Sequence, residues 1–345
     1  MPLLVAGIPV TPETFAPYVM HKALSKSQLV SSGIIDKSPV FDKLISGGGL
    51  LVDMPFWMEP NDDSEIQSDT VDATVNSITG GNDKARVHFR RSAWGASDLA
   101  GQIAGSDPLE NLANMLAGYW ARQDQKLLIN SLTGLFADNL ANDAGDLILD
   151  ISIADGAAVT ASNKIIGSSI IDAKSKLGDN HDLLTAIVMH SVPFHQLEKN
   201  SLIEYVRVVN AAGVTQSVSE GSPNGAQGVP TIFGRRVIVD DSCPAVATGL
   251  GGGVRYSSYL FGSGAVAMGE VPSKTPFEVA RNAKRGIDEL YVNRQFILHP
   301  RGIAWTNATC AGSSPTFAEV ALAANWNRVW NQKGDVRIVK LVTNG

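Results

Sequence analysis

Apolar residues recur every three to four positions over one long stretch of the chain and every second position over several short ones. The helical stretch opens on Asp107-Pro108-Leu109-Glu110, a cap residue followed by a proline suited to the first helical turn and a glutamate two residues further on. Leu109, Leu112, Leu116, Trp120, Leu127, Leu128, Leu132 and Leu135 or Phe136 then follow at helical spacing. This predicts one helix over 107–139, roughly 48 Å long. Its repeat is too irregular for a coiled coil, so it reads as the spine of an elongated domain. Ile165, Ile166, Ile170 and Ile171 form a second stripe and predict a helix over 161–177.

Period two dominates elsewhere. Val71, Ala73 and Val75 alternate with polar residues, Gly80-Gly81-Asn82-Asp83 reads as a turn, and Ala85, Val87 and Phe89 alternate with Arg86, His88 and Arg90. That pattern predicts a hairpin turning at 80–83, with too few apolar residues to stand alone in water. Further on, 183–189, 232–239, 256–268, 278–281, 293–299 and 336–342 read as strands, and 192–198 and 314–324 as short helices. Residues 1–50 read as an extended arm, able to carry short helix over 14–31, that needs another surface to lie on. The Ser-, Gly- and Asn-rich link 214–229 and the glycine run 249–253 read as functional or mobile loops. No internal repeat is present.

Composition sharpens this picture. The chain has 345 residues and 62 charged ones, 28 Lys and Arg against 34 Asp and Glu, or 18%. An average soluble domain carries about 25%. A compact chain of this mass would expose on the order of 13,500 Å², or one charge per ~220 Å². Either much surface is hidden against partners, or Ser, Asn, Thr and Gly solvate it. A hydrophobic fraction of 44% and a net charge of −6 exclude disorder as the main description. No apolar run approaches the ~18 residues of a membrane span. The N-terminus lacks a basic leader and is broken at Pro9 and Pro12, so it is a poor signal peptide and cytoplasmic synthesis is expected. Two cysteines, Cys243 and Cys310, make neither a disulfide framework nor a four-cysteine zinc site. An acidic chain without a basic tail is a poor candidate for wrapping nucleic acid.

Sequence motifs that carry chemistry are mostly missing. There is no Gly-Lys pair for a phosphate loop, and the run Gly249-Leu250-Gly251-Gly252-Gly253-Val254 has Val254 where a dinucleotide fingerprint needs glycine. Ser263, in Phe261-Gly262-Ser263-Gly264, has Phe261 where a nucleophile elbow needs glycine two residues before the serine. His181, His190 and His195 are spaced by nine and five, which puts no two on one helical face. Asp240-Asp241 closes a strand, where neighbours point to opposite faces, so turn and capping duty is expected of them. No catalytic, cofactor or metal site is therefore assigned, and a hydrolase using His190 or Asp240 stays a rival reading. The stretch from Glu59 to Asp72 holds six carboxylates, whereas the following arm is basic. One reading is a solvated loop. The other is a projecting arm that meets a neighbouring subunit through complementary charge, with Glu59, Asp62, Asp63 and Glu65 set against Lys84, Arg86, Arg90 and Arg91.

An arm, a charged hairpin, one very long helix and then an α/β region is an unusual order. Specific strings accompany it: MHSVPFHQLEKNSLIEYV (189–206), PTIFGRRVIVDDSCP (230–244), YSSYLFGSGAVAMGE (256–270), FEVARNAKRGIDELYVNRQFILHPRGIAW (277–305) and the closing NWNRVW and VRIVKLVTNG. Along nearly its whole length the chain resembles the major capsid proteins of tailed bacteriophages, the Hong Kong 97-like family. The resemblance implies an α+β fold in five parts. These are an N-terminal arm (1–50), an extended β-hairpin loop (51–95), a peripheral domain (96–180) with its spine helix at 107–139, an axial α/β domain (181–270), and a return to the peripheral domain with a C-terminal segment (271–345). It implies a head protein of a phage or prophage that self-assembles through axial domains into hexamers and pentamers of an icosahedral shell. The loop would lie over one neighbour and the arm would reach another. Double-stranded DNA would be enclosed without sequence-specific binding, and no cofactor is needed. Portal and scaffolding proteins, and in some members a decoration protein, are the expected partners, and the virion is the expected location. The chain has no highly charged helical prefix, so scaffolding is expected to be separate or already removed. An encapsulin-type compartment shell shares the fold and is the first rival; another virion part, such as a tail-tube protein, is a further one.

Overall fold

The computed structural model describes residues 34–37, 39–60, 63–67, 69–70, 72–105, 108–153, 158–206, 229–247 and 253–344. Most of the expected arm, the helix expected at 14–31, almost all of the link 214–229 and most of the glycine run 249–253 lie outside these residues.

The chain begins with β1 (Ile35–Lys37), α1 (Pro39–Ser46), β2 (Leu51–Trp57), β3 (Gly80–Ser97), α2 (Asp98–Ala104) and the long α3 (Pro108–Asn142). There follow β4 (Ile148–Asp150), α4 (Gly167–Ser175), β5 (Leu184–Met189), α5 (Ser191–Lys199), β6 (Glu204–Val206), β7 (Val229–Ile232), β8 (Arg235–Val239) and β9 (Ala245–Ala247). The last part holds β10 (Val254–Gly262), β11 (Val266–Val271), β12 (Phe277–Asn282), β13 (Ile287–Pro300), β14 (Ile303–Trp305), α6 (Phe317–Val320), β15 (Trp326–Arg328) and β16 (Ile338–Thr343).

Two large sheets and a two-stranded one, β14-β15, organise the described elements. The larger runs β4-β16-β10-β5-β8-β7-β6, with β9 also on β10; the smaller runs β1-β11-β13-β3-β2, with β12 also on β13. Strand β10 lies between β16 and β5 and is buried from Ser257 to Gly262, the near-continuous burial of a central strand. The chain then leaves the larger sheet at Gly262 and enters the smaller one at Val266. The segment expected to be one unit over 181–270 therefore divides near Gly264, because the apolar β11 finds its partners in β1 and β13. The segment expected to stay peripheral over 271–345 divides as well. Its last strand, β16, fills the open side of β10 in the larger sheet. One continuous core nevertheless serves both sheets, with Leu260 and Phe261 on one side and Val266, Phe296 and Leu298 on the other.

The described end of the arm is not extended. Ile34, Ile35, Phe41 and Ile45 are buried, with β1 parallel to β11 and α1 packed on that strand. The long helix runs slightly beyond its expected span, to 35 residues or roughly 52 Å. Leu127, Leu128, Leu132, Leu135 and Phe136 enter the core, and Phe136 stacks on Tyr259 of β10 at 5.8 Å. At Gly134 a Cβ would sit 2.4 Å from the Val320 carbonyl and the Trp326 indole. Glycine there lets the helix touch the α6–β15 segment directly. The helix expected at 161–177 shortens to Gly167–Ser175 after a single 3₁₀ turn at Ala161–Asn163. The strand expected over 232–239 is a tight hairpin, Ile232 pairing Arg235 across Phe233 (φ 48°) and Gly234 (φ 73°).

The hairpin within 51–95 is also rebuilt. Its arms are β2 and β3, with Leu51 opposite Arg86 and Trp57 opposite Gly80. The residues read as a turn, 80–83, lie inside β3, and the described residues of 72–79 form no strand. The connection between the arms is the long stretch 58–79.

Candidate functional site

The groups that could have carried chemistry are engaged in structure. His190 and Asp241 together close the start of α5: the His190 ring accepts from Val192 N at 3.2 Å and Asp241 from Ser191 N at 3.0 Å. Asp240 accepts from Ser242 N at 2.8 Å and from the Gln125 amide of the long helix at 2.6 Å. Turn and capping duty is thus what the Asp240-Asp241 pair performs. Cys243 is buried, and burial first, then Asp240 and Asp241, pushes its thiol far up, away from the reactive thiolate. Ser263 sits in the crossing between the two sheets.

The charged hairpin separates into an inward and an outward part. At its root Asp83 is buried, accepting from Gly302 N at 3.0 Å and lying 2.9 Å from His299 Nε2. Next to it His88 is buried against Phe296, with ring centroids 5.6 Å apart. Burial, then Arg90, Arg86 and His299, depresses its pKa to about 3, so it is neutral at physiological pH. Arg86 is buried too. Its guanidinium donates to the carbonyls of Ser313 at 2.7 Å, Gly312 at 3.3 Å and Leu50 at 3.4 Å. Arg90 donates to Pro315 O at 2.8 Å and lies over the Phe317 ring at 4.5 Å. These two arginines hold the hairpin to the chain's own 310–317 segment. Reversing the charge at Arg86 would bury an unpaired anion against these carbonyls.

The remaining candidates face outward. Lys84 and Arg91 are exposed on β3, Arg91 lying over Tyr291 at 4.9 Å. Glu59 and Asp63 are exposed on the connection, Glu59 reaching Gln332 at 3.3 Å. Glu65 accepts from Thr74 N at 3.0 Å, and the Thr74 bonds hold its carboxyl below the usual range. Asp62 lies outside the described residues. Among the described residues, the acidic and basic candidates are therefore not brought together within one chain.

The outward surface is apolar as well as charged. The most exposed large apolar side chains include Ile66 (95%), Val75 (94%), Trp57 (78%) and Ile78 (68%), all on β2 or the connection. A sequence signal existed: four apolar residues set in an acidic run with no matching apolar face nearby.

Comparison with known proteins agrees in kind. Residues 111–336 match the Gp13-like family, described as major capsid protein 13-like. The major capsid protein of Bacillus phage SPP1 is 38% identical over 333 residues, covering 96% of this chain and 95% of that protein. Among solved structures, the capsid of Ralstonia phage GP4 superposes with a TM-score of 0.59 at 11% identity, over 90% of this chain and 87% of that one. The cyanophage Pam1 capsid superposes at 0.53 with 10% identity, over 90% and 88%. At such identities the structural likeness is one of fold.

Proposed function

The chain belongs to the Gp13-like major capsid protein family, and on that premise we propose that its copies form hexamers and pentamers of an icosahedral shell around double-stranded DNA. It is a structural component of a virion, with the Hong Kong 97-like fold, and not an enzyme. The observation that carries the proposal is the 38% identity spanning nearly all of both chains, arm to C-terminal strand.

In the proposed arrangement the larger sheet is the axial domain around which subunits gather. The smaller sheet and the long helix form the peripheral domain. The connection 58–79, with Ile66 and Val75 in water on a single chain, lies over a neighbouring subunit and is covered there. Arg91 and Lys84 on one copy and Glu59, Asp63 and Glu65 on another set the register, since complementary charge selects partner and orientation more than it adds affinity. Burial of apolar area at about 25 cal/mol per Å², repeated over many contacts, drives closure. Portal and scaffolding proteins, and a decoration protein, are the further partners in this reading, with synthesis in the host cytoplasm.

The test is electron microscopy of particles purified from cells expressing the chain alone and with the genes that flank it. Closed shells of hexamers and pentamers, holding DNA when a packaging apparatus is present, support the proposal. Open tubes or rings would overturn it, and closed shells loaded with a host enzyme would assign the chain to a storage compartment.

A further inference from the structure

A cavity of about 150 Å³ lies between the long helix and strand β3, with Arg90 and Arg91 on the strand side and Trp120, Gln123 and Asp124 on the helix side. Its volume corresponds to roughly five liquid waters.

Charge is unequally balanced across it. On the helix side Asp124 is fully matched: Arg294 donates to its two oxygens at 3.1 and 3.2 Å and also reaches Glu270 at 2.7 Å. On the strand side Arg90 is half-buried, held by the Pro315 carbonyl at 2.8 Å and the Phe317 ring at 4.5 Å. Among the described residues no carboxylate pairs with it. Burial, with no anion to offset it, holds its pKa below the usual arginine range. Arg86, four residues earlier, is buried against carbonyls and likewise has no carboxylate partner among the described residues. Lys126 lies over the same Phe317 ring at 4.9 Å. Buried charges in folded proteins are normally paired, and this wall of the cavity carries positive charge without a counter-charge.

The hydrogen-bond inventory leans the same way. Trp120 is only 9% exposed, yet its indole N–H has no acceptor among the described residues. Leaving a buried donor unmatched is unfavourable, and a ligand oxygen would remove that penalty. Ser92 Oγ and Tyr119 Oη lie 2.8 Å apart, so one hydroxyl donates to the other and a single hydroxyl proton stays free. Gln123 adds an amide. The cavity therefore offers donors and positive charge, while its one lining carboxylate is already engaged by Arg294.

We infer that this cavity binds a small tetrahedral oxyanion of the phosphate class. Arg90 and Arg91 neutralise it, and Trp120, Gln123 and the Tyr119–Ser92 pair donate to its oxygens. The volume is below the ~300 Å³ of ordinary ligand pockets, which argues for an ion rather than a nucleotide or a peptide segment. Bound there, the anion ties the long helix to β3 through charge-assisted hydrogen bonds. The inference needs one chain only and does not depend on shell formation.

Calorimetric titration of inorganic phosphate into the purified full chain, at constant ionic strength with chloride as the control, tests it. One saturable site per chain is expected. Trp120→Phe keeps a ring but removes the donor, and should weaken binding about fivefold; Arg91→Gln removes a charge-assisted donor and should weaken it about tenfold. Both variants should match the original Tm in phosphate-free buffer, and both should gain less than the original chain as phosphate is raised. Absence of saturable binding would overturn the inference. Equal stabilisation of all three chains would also overturn it, because it would assign the effect to general exclusion of phosphate from protein surface. Loss in Arg91→Gln with Trp120→Phe unchanged would replace the cavity with a surface arginine contact.

Discussion

The connection 58–79 and the strand 80–97 are adjacent, similar in length and both patterned with alternating apolar residues, yet they meet opposite fates. From Ala85 to His88 every residue of the strand is buried, on both faces. On the connection Ile66 and Val75 are almost fully exposed. The strand has β2 on one edge, β13 on the other and the 310–317 segment over its polar face. The connection has no such cover within the described chain. Alternation alone therefore does not make a strand; a partner does, and in this account the connection's partner is another subunit.

Breaking the strand side should have the largest effect on the isolated subunit. Arg86→Glu places a carboxylate against the Ser313, Gly312 and Leu50 carbonyls and is expected to cost about 3–5 kcal/mol, seen as loss of soluble folded protein or a large drop in Tm. Asp83→Ala leaves His299 and Gly302 N without their acceptor and should cost about 2–3 kcal/mol in denaturant unfolding. Acid should act on the same region through His88. The folded chain keeps that ring neutral down to about pH 3, whereas an unfolded histidine protonates near 6.5. The unfolded state then binds the extra proton first, so stability falls as pH drops from 6.5 towards 3, by up to about 1.4 kcal/mol per unit. His88→Leu should flatten that slope, and an identical slope in the variant would assign the acid sensitivity to other groups. The smallest effect on the subunit is expected from Ile66→Ser with Val75→Ser, within about 0.5 kcal/mol. Particle yield in the same double variant should nevertheless collapse.

Much of the fold was legible because its signals are local. The Pro108 start and the leucine spacing located the long helix, and the apolar run 184–189 located β5. The hairpin register was not legible. Gly80-Gly81 resembles a turn, but the Phe56 ring occupies the place a Cβ of Gly81 would take, at 2.4 Å, so the glycine makes room for a ring across the ladder. The Phe233-Gly234 turn was hidden for the converse reason: a bulky residue sits at positive φ inside an apolar run. Arg86, His88 and Arg90 read as a solvent face, because nothing local shows that residues more than 220 positions later lie over it. Of the candidate site, the charges were visible, and two of them, Arg86 and Arg90, are internal ties. The exposed apolar residues, which carry more of the proposed contact, were visible as letters but had no face to be read against.

The central claim is that this surface is finished only by other copies of the chain. Negative-stain electron microscopy of the purified full chain, across protein concentration and salt, tests it most directly. The account predicts closed particles built from hexamers and pentamers, and their disappearance in the Ile66→Ser, Val75→Ser chain. A monodisperse 36.5 kDa monomer under every condition would contradict it.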